Sequence, residues 1–136
     1  MKKALILVDI QNDFCTGGAL AVKDGEKIIP LVNKMIKHKG YEVIVATQDF
    51  HPADHKSFAS VNEKDVYSVG ELNGSPQVMW PDHCVQGSAG AKFHPDLNLT
   101  KKVKVFVKGT NKEVDSYSGF FDNDKNSSTG MGEWLK

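Results

Sequence analysis

Cysteine is scarce in this chain, with only Cys15 and Cys84 among its 136 residues. Two cysteines cannot build the disulfide framework of a small secreted domain, and their separation matches no zinc ribbon. A surplus of one charge is missing too, since 17 Lys and Arg face 17 Asp and Glu. A balanced surface has no electrostatic draw toward nucleic acid or an anionic membrane, so neither partner is expected. No apolar run approaches the roughly 20 residues of a membrane span. Met1-Lys2-Lys3 is not followed by the long apolar core of a signal peptide. These absences point to a reduced, cytoplasmic setting. The sequence shows no internal repeat and no low-complexity tract, and its length suits one domain over residues 1–136.

What the chain does have is a set of short apolar runs, each giving way to chemistry. Leu5-Ile6-Leu7-Val8 is unbroken, which reads as a strand buried on both faces of a parallel sheet. Asp9 stands where that run stops. That would be the carboxyl end of the strand, the edge at which open α/β sheets bind ligands. Position alone equally allows an Asp that caps the turn. Asp13-Phe14-Cys15-Thr16-Gly17-Gly18 is turn chemistry. Ile28, Leu31, Val32, Met35 and Ile36 recur at helical spacing. They predict a helix over 27–39, with Pro30 near its first turn and Gly40 as its stop. Tyr41 to Thr47 is a second strand, and the order strand, helix, strand predicts a parallel crossover.

The second strand ends in Gln48-Asp49-Phe50-His51, and His55 follows four residues later. Residues two apart on an extended segment point the same way, so Asp49 and His51 can share an ion. Such a mixed donor set suits zinc, iron or manganese rather than magnesium or calcium. The alternative is a polar loop with solvated histidines. Residues 56–78 read as a long connection with a turn at Asn73-Gly74-Ser75-Pro76, the kind that forms binding loops or lids. It delivers Trp80-Pro81-Asp82-His83-Cys84. Trp80 can wall a ring pocket with His83 as a third ligand, or it can anchor the loop with His83 packed against it. Val103 to Lys108 is the third strand. Lys108 at its end is either a snorkelling surface lysine or a charge gathered with Asp9 and Asp49 along one sheet edge. An acid and a lysine close together keep each other charged, leaving any metal as a separate electrophilic centre. The stretch 113–126 is polar and irregular, and a helix begins near Gly132.

Taken in order, five segments carry a resemblance. They are Val8-Asp9-Ile10-Gln11-Asn12-Asp13-Phe14, Thr47-Gln48-Asp49-Phe50-His51-Pro52, Trp80-Pro81-Asp82-His83-Cys84, Val107-Lys108-Gly109 and Asp115-Ser116-Tyr117-Ser118-Gly119-Phe120. Together they resemble the nicotinamidases (pyrazinamidases), a branch of the isochorismatase-like cysteine hydrolases. The resemblance implies a three-layer α/β/α parallel-sheet, Rossmann-like fold. It also implies deamidation of nicotinamide to nicotinate and ammonia through a cysteine thioester, a step of NAD salvage. Asp9 would be the general base, and Lys108 would pair with it and keep the thiol's surroundings electropositive. Asp49, His51 and His83 would hold one divalent metal, zinc first, with iron or manganese as alternatives. In some members the histidine matching His55 joins them. Phe14, Trp80 and Tyr117 would line the ring pocket.

One part of the pattern is missing. In the family the nucleophilic cysteine lies on a later strand-to-helix turn, in a segment like Ala-Thr-Asp-x-Cys-Val, and no such segment occurs here. The match therefore covers about the first two-thirds of such a domain, and neither Cys15 nor Cys84 is expected to replace the nucleophile. A non-catalytic metal- or ring-binding module, or one half of a split protein, is the alternative function. In the family fold, later strands pair alongside the first one. The Leu5–Val8 run is thus expected to be an open edge, with self-association or a complementary segment as its partner.

Overall fold

The computed structural model describes residues 2–136. Along the chain run β1 (Ala4–Val8), α1 (Ile29–Lys37), β2 (Val43–Asp49), β3 (Val69–Leu72), β4 (Ser75–Val78), β5 (Val103–Lys108) and α2 (Met131–Leu135). The main sheet has the order β1-β2-β5, and both pairings are parallel. Register sets Val8 opposite Thr47 and Asp49 opposite Lys108, so the three carboxyl ends lie together.

Alternation along β2 feeds two cores. Ile44 and Ala46 point to one face, where they meet Leu5, Leu7 and the Ile29-Val32-Ile36 stripe of α1. Val45 points to the other, against Phe106 of β5 and Met131 of α2. Helices on both faces of a parallel sheet make three layers, as expected for an α/β domain.

Pro30 has no N–H to donate, so the α-helix starts one residue before it. The first part of the expected 27–39 helix is instead a 3₁₀ turn, Gly25–Ile28. β2 begins two residues later than expected and runs on to Asp49, which therefore lies within the strand. β1 differs more. Leu5 and Leu7 are buried, but Ile6 is 40% and Val8 60% exposed, because α2 covers β2 and β5 and leaves β1 bare on that face. The long connection is also not a loop throughout. Within it, β3 and β4 form an antiparallel hairpin around Asn73 and Gly74, both at positive φ (51° and 76°), as a two-residue primed turn requires.

Candidate active site and metal centre

Lys108 is the hub of the strand ends. Far from snorkelling to the surface, it is 5% exposed. Its Nζ lies 3.0 Å from Asp9 Oδ2 and 3.1 Å from Asp49 Oδ1, and it donates to the Ser116 carbonyl at 2.9 Å. Burial works against the ammonium, but the charges of Asp49 and Asp9 and their hydrogen bonds outweigh it and push the Lys108 pKa up. Asp9 takes a left-handed backbone conformation at φ 50°, tolerable for Asp, which turns the chain off the strand and its carboxylate inward. Its Oδ1 accepts from the Thr47 hydroxyl at 2.6 Å.

Asp49 joins two chemistries. One oxygen faces Lys108, while the other, Oδ2, lies 3.0 Å from His51 Nε2 and 3.4 Å from His83 Nε2. Burial opposes its charge, yet the imidazole hydrogen bonds and the charges of His51 and Lys108 hold its carboxyl well below the usual range. The lysine pair and the ligand cluster are therefore one continuous assembly rather than separate centres.

The cluster's chemistry fits a divalent cation. His51 Nδ1 lies 2.8 Å from the Gly109 carbonyl and His83 Nδ1 lies 2.7 Å from the Pro81 carbonyl. A carbonyl only accepts, so each Nδ1 carries a proton, and Nε2 is the atom each ring turns toward Asp49 and could offer to a metal. Burial works against a charged His51, but Asp49 and the Gly109 carbonyl outweigh it and push the His51 pKa up. Two Nε2 atoms and a carboxylate oxygen thus converge on one point, a donor set that suits a divalent cation. Ligand-capable atoms of Asp49, His51 and His83 all lie within 4.8 Å of one another.

His55 lies beside that set, grouped with His51 and Asp115 instead. Its Nε2 faces the Val114 carbonyl at 3.2 Å and so holds the proton, while Nδ1 accepts from the Ser57 N–H, also at 3.2 Å. Both nitrogens are thus occupied. Burial and the neighbouring His51 push its pKa down and keep the ring neutral. Asp115 lies close enough to complete a second grouping with His51 and His55, but the same occupied nitrogens face it.

A cleft of about 200 Å³ opens beside these groups. Asp9, Lys108, Asp49 and His83 form its polar wall, and Phe14, Trp80 and Tyr117 line the other side. Phe14 packs edge-on to His83 with ring centroids 5.8 Å apart, and Trp80 meets Tyr117 at 6.3 Å. The candidate residues therefore gather at one place, with His55 behind His51 at 4.4 Å between ring centroids. Neither cysteine lines the cleft, and both are buried. Burial pushes both thiol pKa values up, that of Cys84 far above the ordinary range.

Sequence reasoning missed Thr47, Asp115 and above all Gln11, which is fully buried and hydrogen-bonded to the Asp49 backbone. The signal for Gln11 was a polar residue directly after Ile10, three positions past the Leu5–Val8 run.

A parallel α/β sheet with a polar cleft at its carboxyl edge, backed by a carboxylate–imidazole cluster, defines an α/β domain built to bind a ligand there. The Isochorismatase domain model matches residues 3–135, and the chain belongs to that family. It is 50% identical to the nicotinamidase of Escherichia coli (strain K12) over 98% of its own length and 64% of that relative. It superposes on the Acinetobacter baumanii nicotinamidase with a TM-score of 0.90 at 43% identity, covering 97% of this chain and 63% of that one. The Pyrococcus horikoshii pyrazinamidase in complex with zinc gives 0.76 at 37% identity, covering 99% and 64%. The chain thus spans less than two-thirds of the length of these relatives.

Proposed function

We propose that this chain supplies the base, the electropositive partner, the ring pocket and the metal ligands of a nicotinamidase. The observation that carries the reading is the single buried ammonium of Lys108 bonded to both Asp9 and Asp49, with the second oxygen of Asp49 facing two imidazoles.

In this reading Asp9 removes the proton of a cysteine thiol, and the thiolate attacks the amide carbon of nicotinamide. The carbon–nitrogen bond then breaks as Asp9 returns the proton to the departing ammonia. A water next loses a proton to Asp9 and attacks the thioester, which releases nicotinate and the thiol. Lys108 pairs with the Asp9 carboxylate at 3.0 Å and makes the thiolate's surroundings positive. Phe14, Trp80 and Tyr117 stack around the ring. Asp49, His51 and His83 would hold the metal, which when bound offers open positions for water or the pyridine nitrogen. The zinc-bound pyrazinamidase relative supports zinc as the ion. Cys15 and Cys84 are outside the cleft, so the nucleophile is expected from a segment of the kind the family carries beyond these residues.

The intact protein should release ammonia from nicotinamide, and the 136-residue chain alone should show no turnover above background. Elemental analysis should find one divalent metal in the intact protein, with its content reduced in His51→Ala and His83→Ala. Turnover by the 136-residue chain that Cys84→Ala abolishes, or undiminished metal in both histidine variants, would contradict this assignment.

A further inference from the structure

The metal ligands stand on two segments, and neither is held by its own element alone. Asp49 is the last residue of β2. His83 sits in an irregular loop whose next residue, Cys84, is forced into the left-handed region at φ 48°. Both segments are gripped from one place, the turn that follows β1.

Gln11 grips the first. Its Oε1 accepts the Asp49 N–H at 2.8 Å, and its Nε2 donates to the Asp49 and Ala91 carbonyls, each at 2.8 Å. Asp49 is thus bonded on both sides of its Cα, which fixes the direction of its side chain. Two residues on, Asp13 grips the second segment. Its Oδ2 accepts the Cys84 N–H at 2.7 Å and its Oδ1 accepts the Ala19 N–H at 3.1 Å. Gly90 lies so close that a Cβ there would overlap the Asp13 carboxylate. The gripped segments also pair with each other, since the His51 N–H donates to the Cys84 carbonyl at 2.9 Å and the Gln86 N–H to the His51 carbonyl at 2.8 Å.

We propose that Gln11 and Asp13 are positioning residues for the metal. Gln11 sets the backbone of Asp49, and Asp13 sets the turn carrying His83, so the ligand atoms are spaced for an ion before one binds. This rests on the metal reading above. The competing possibility is that the two side chains only satisfy buried backbone groups and hold the fold. Affinity separates the two. A purely structural role lowers the stability of the metal-free protein but leaves the zinc affinity of its folded form unchanged, whereas a positioning role lowers affinity itself.

The experiment is a zinc titration of the intact, demetallated protein against a chromophoric chelator, with a thermal melt of each metal-free sample. Gln11→Glu keeps size but turns a carboxylate oxygen toward two carbonyls. Asp13→Asn removes one acceptor. Gly90→Ala displaces the Asp13 carboxylate without altering any ligand, so it and Asp13→Asn reach the same bond from opposite sides and either one suffices if the other fails to fold. Each should weaken zinc about tenfold or more, the low end for residues that orient metal ligands. Gly90→Ala should match Asp13→Asn. Lowered melting temperatures with unchanged zinc affinity would overturn the inference. A wild-type protein that binds zinc no better than His83→Ala would overturn the metal reading itself, and this inference with it.

Discussion

Single residues decide the chemistry here, and Cys84 shows how completely context governs a side chain. It follows a proposed metal ligand in sequence, yet its thiol is fully buried. Burial first, then the carboxylates of Asp49, Asp13 and Asp9, push its pKa up. An ordinary thiol ionises around pH 8.5. Cys84 should therefore resist alkylation well above that pH while the protein is folded. The linkage has a definite sign. Above about pH 8.5 the unfolded thiol loses its proton and the folded one keeps it, so the unfolded state binds fewer protons and stability falls as pH rises. Cys84→Ala should flatten that alkaline decline in chemical-denaturation curves taken between pH 7 and pH 10. A folded-state Cys84 that alkylates as fast as a free thiol would show that its surroundings are misjudged. Asp9, Asp49, His51 and Lys108 were legible as candidates because each ends an apolar run or repeats at a strand's two-residue period, and His83 because it follows the Trp80-Pro81 turn. Gln11 and Asp13 were not legible as site residues. Their partners are backbone groups 38 and 71 residues away, and no sequence pattern encodes such a bond.

At the scale of elements, what sequence patterning captured was direction and order, and what it missed was cover. The parallel pairing of β1, β2 and β5 follows from apolar runs separated by crossovers, and each run ended near where its strand ends. The hairpin of β3 and β4 escaped because Gly70, Glu71, Ser75 and Pro76 are poor strand formers, although Asn73-Gly74 announced its turn. Burial of β1 on both faces was inferred from an unbroken apolar run, but the second face depends on what packs there. Among the described residues, Ile6 stays 40% and Val8 60% exposed on that face, and β1 pairs only with β2. An apolar edge strand of this kind is a template for another chain. We propose that the 136-residue chain self-associates through it. Sedimentation velocity should show concentration-dependent association, which Ile6→Lys reduces without loss of secondary structure. Association indifferent to that substitution would place the contact elsewhere.

For the molecule as a whole, the sheet serves to gather charge. Three strand ends, two crossovers and the first turn converge on Lys108 and Asp49, so fold and site cannot be separated energetically. Removing the Lys108 charge leaves the buried Asp49 and the part-buried Asp9 without their common partner, a change typically worth about 3–5 kcal/mol when a buried pair is broken. Any kinetic comparison must therefore be made well below the melting temperature of each variant. The most direct test of the proposed active site is single-turnover thioester formation from nicotinamide by the intact protein, measured for Asp9→Asn, Lys108→Ala and the double variant. Loss of the base alone should slow the step by about 10²–10⁴. Because both groups serve one thiolate, the double variant should be little slower than the worse single one. Losses that simply multiply in the double variant would contradict a common role for Asp9 and Lys108.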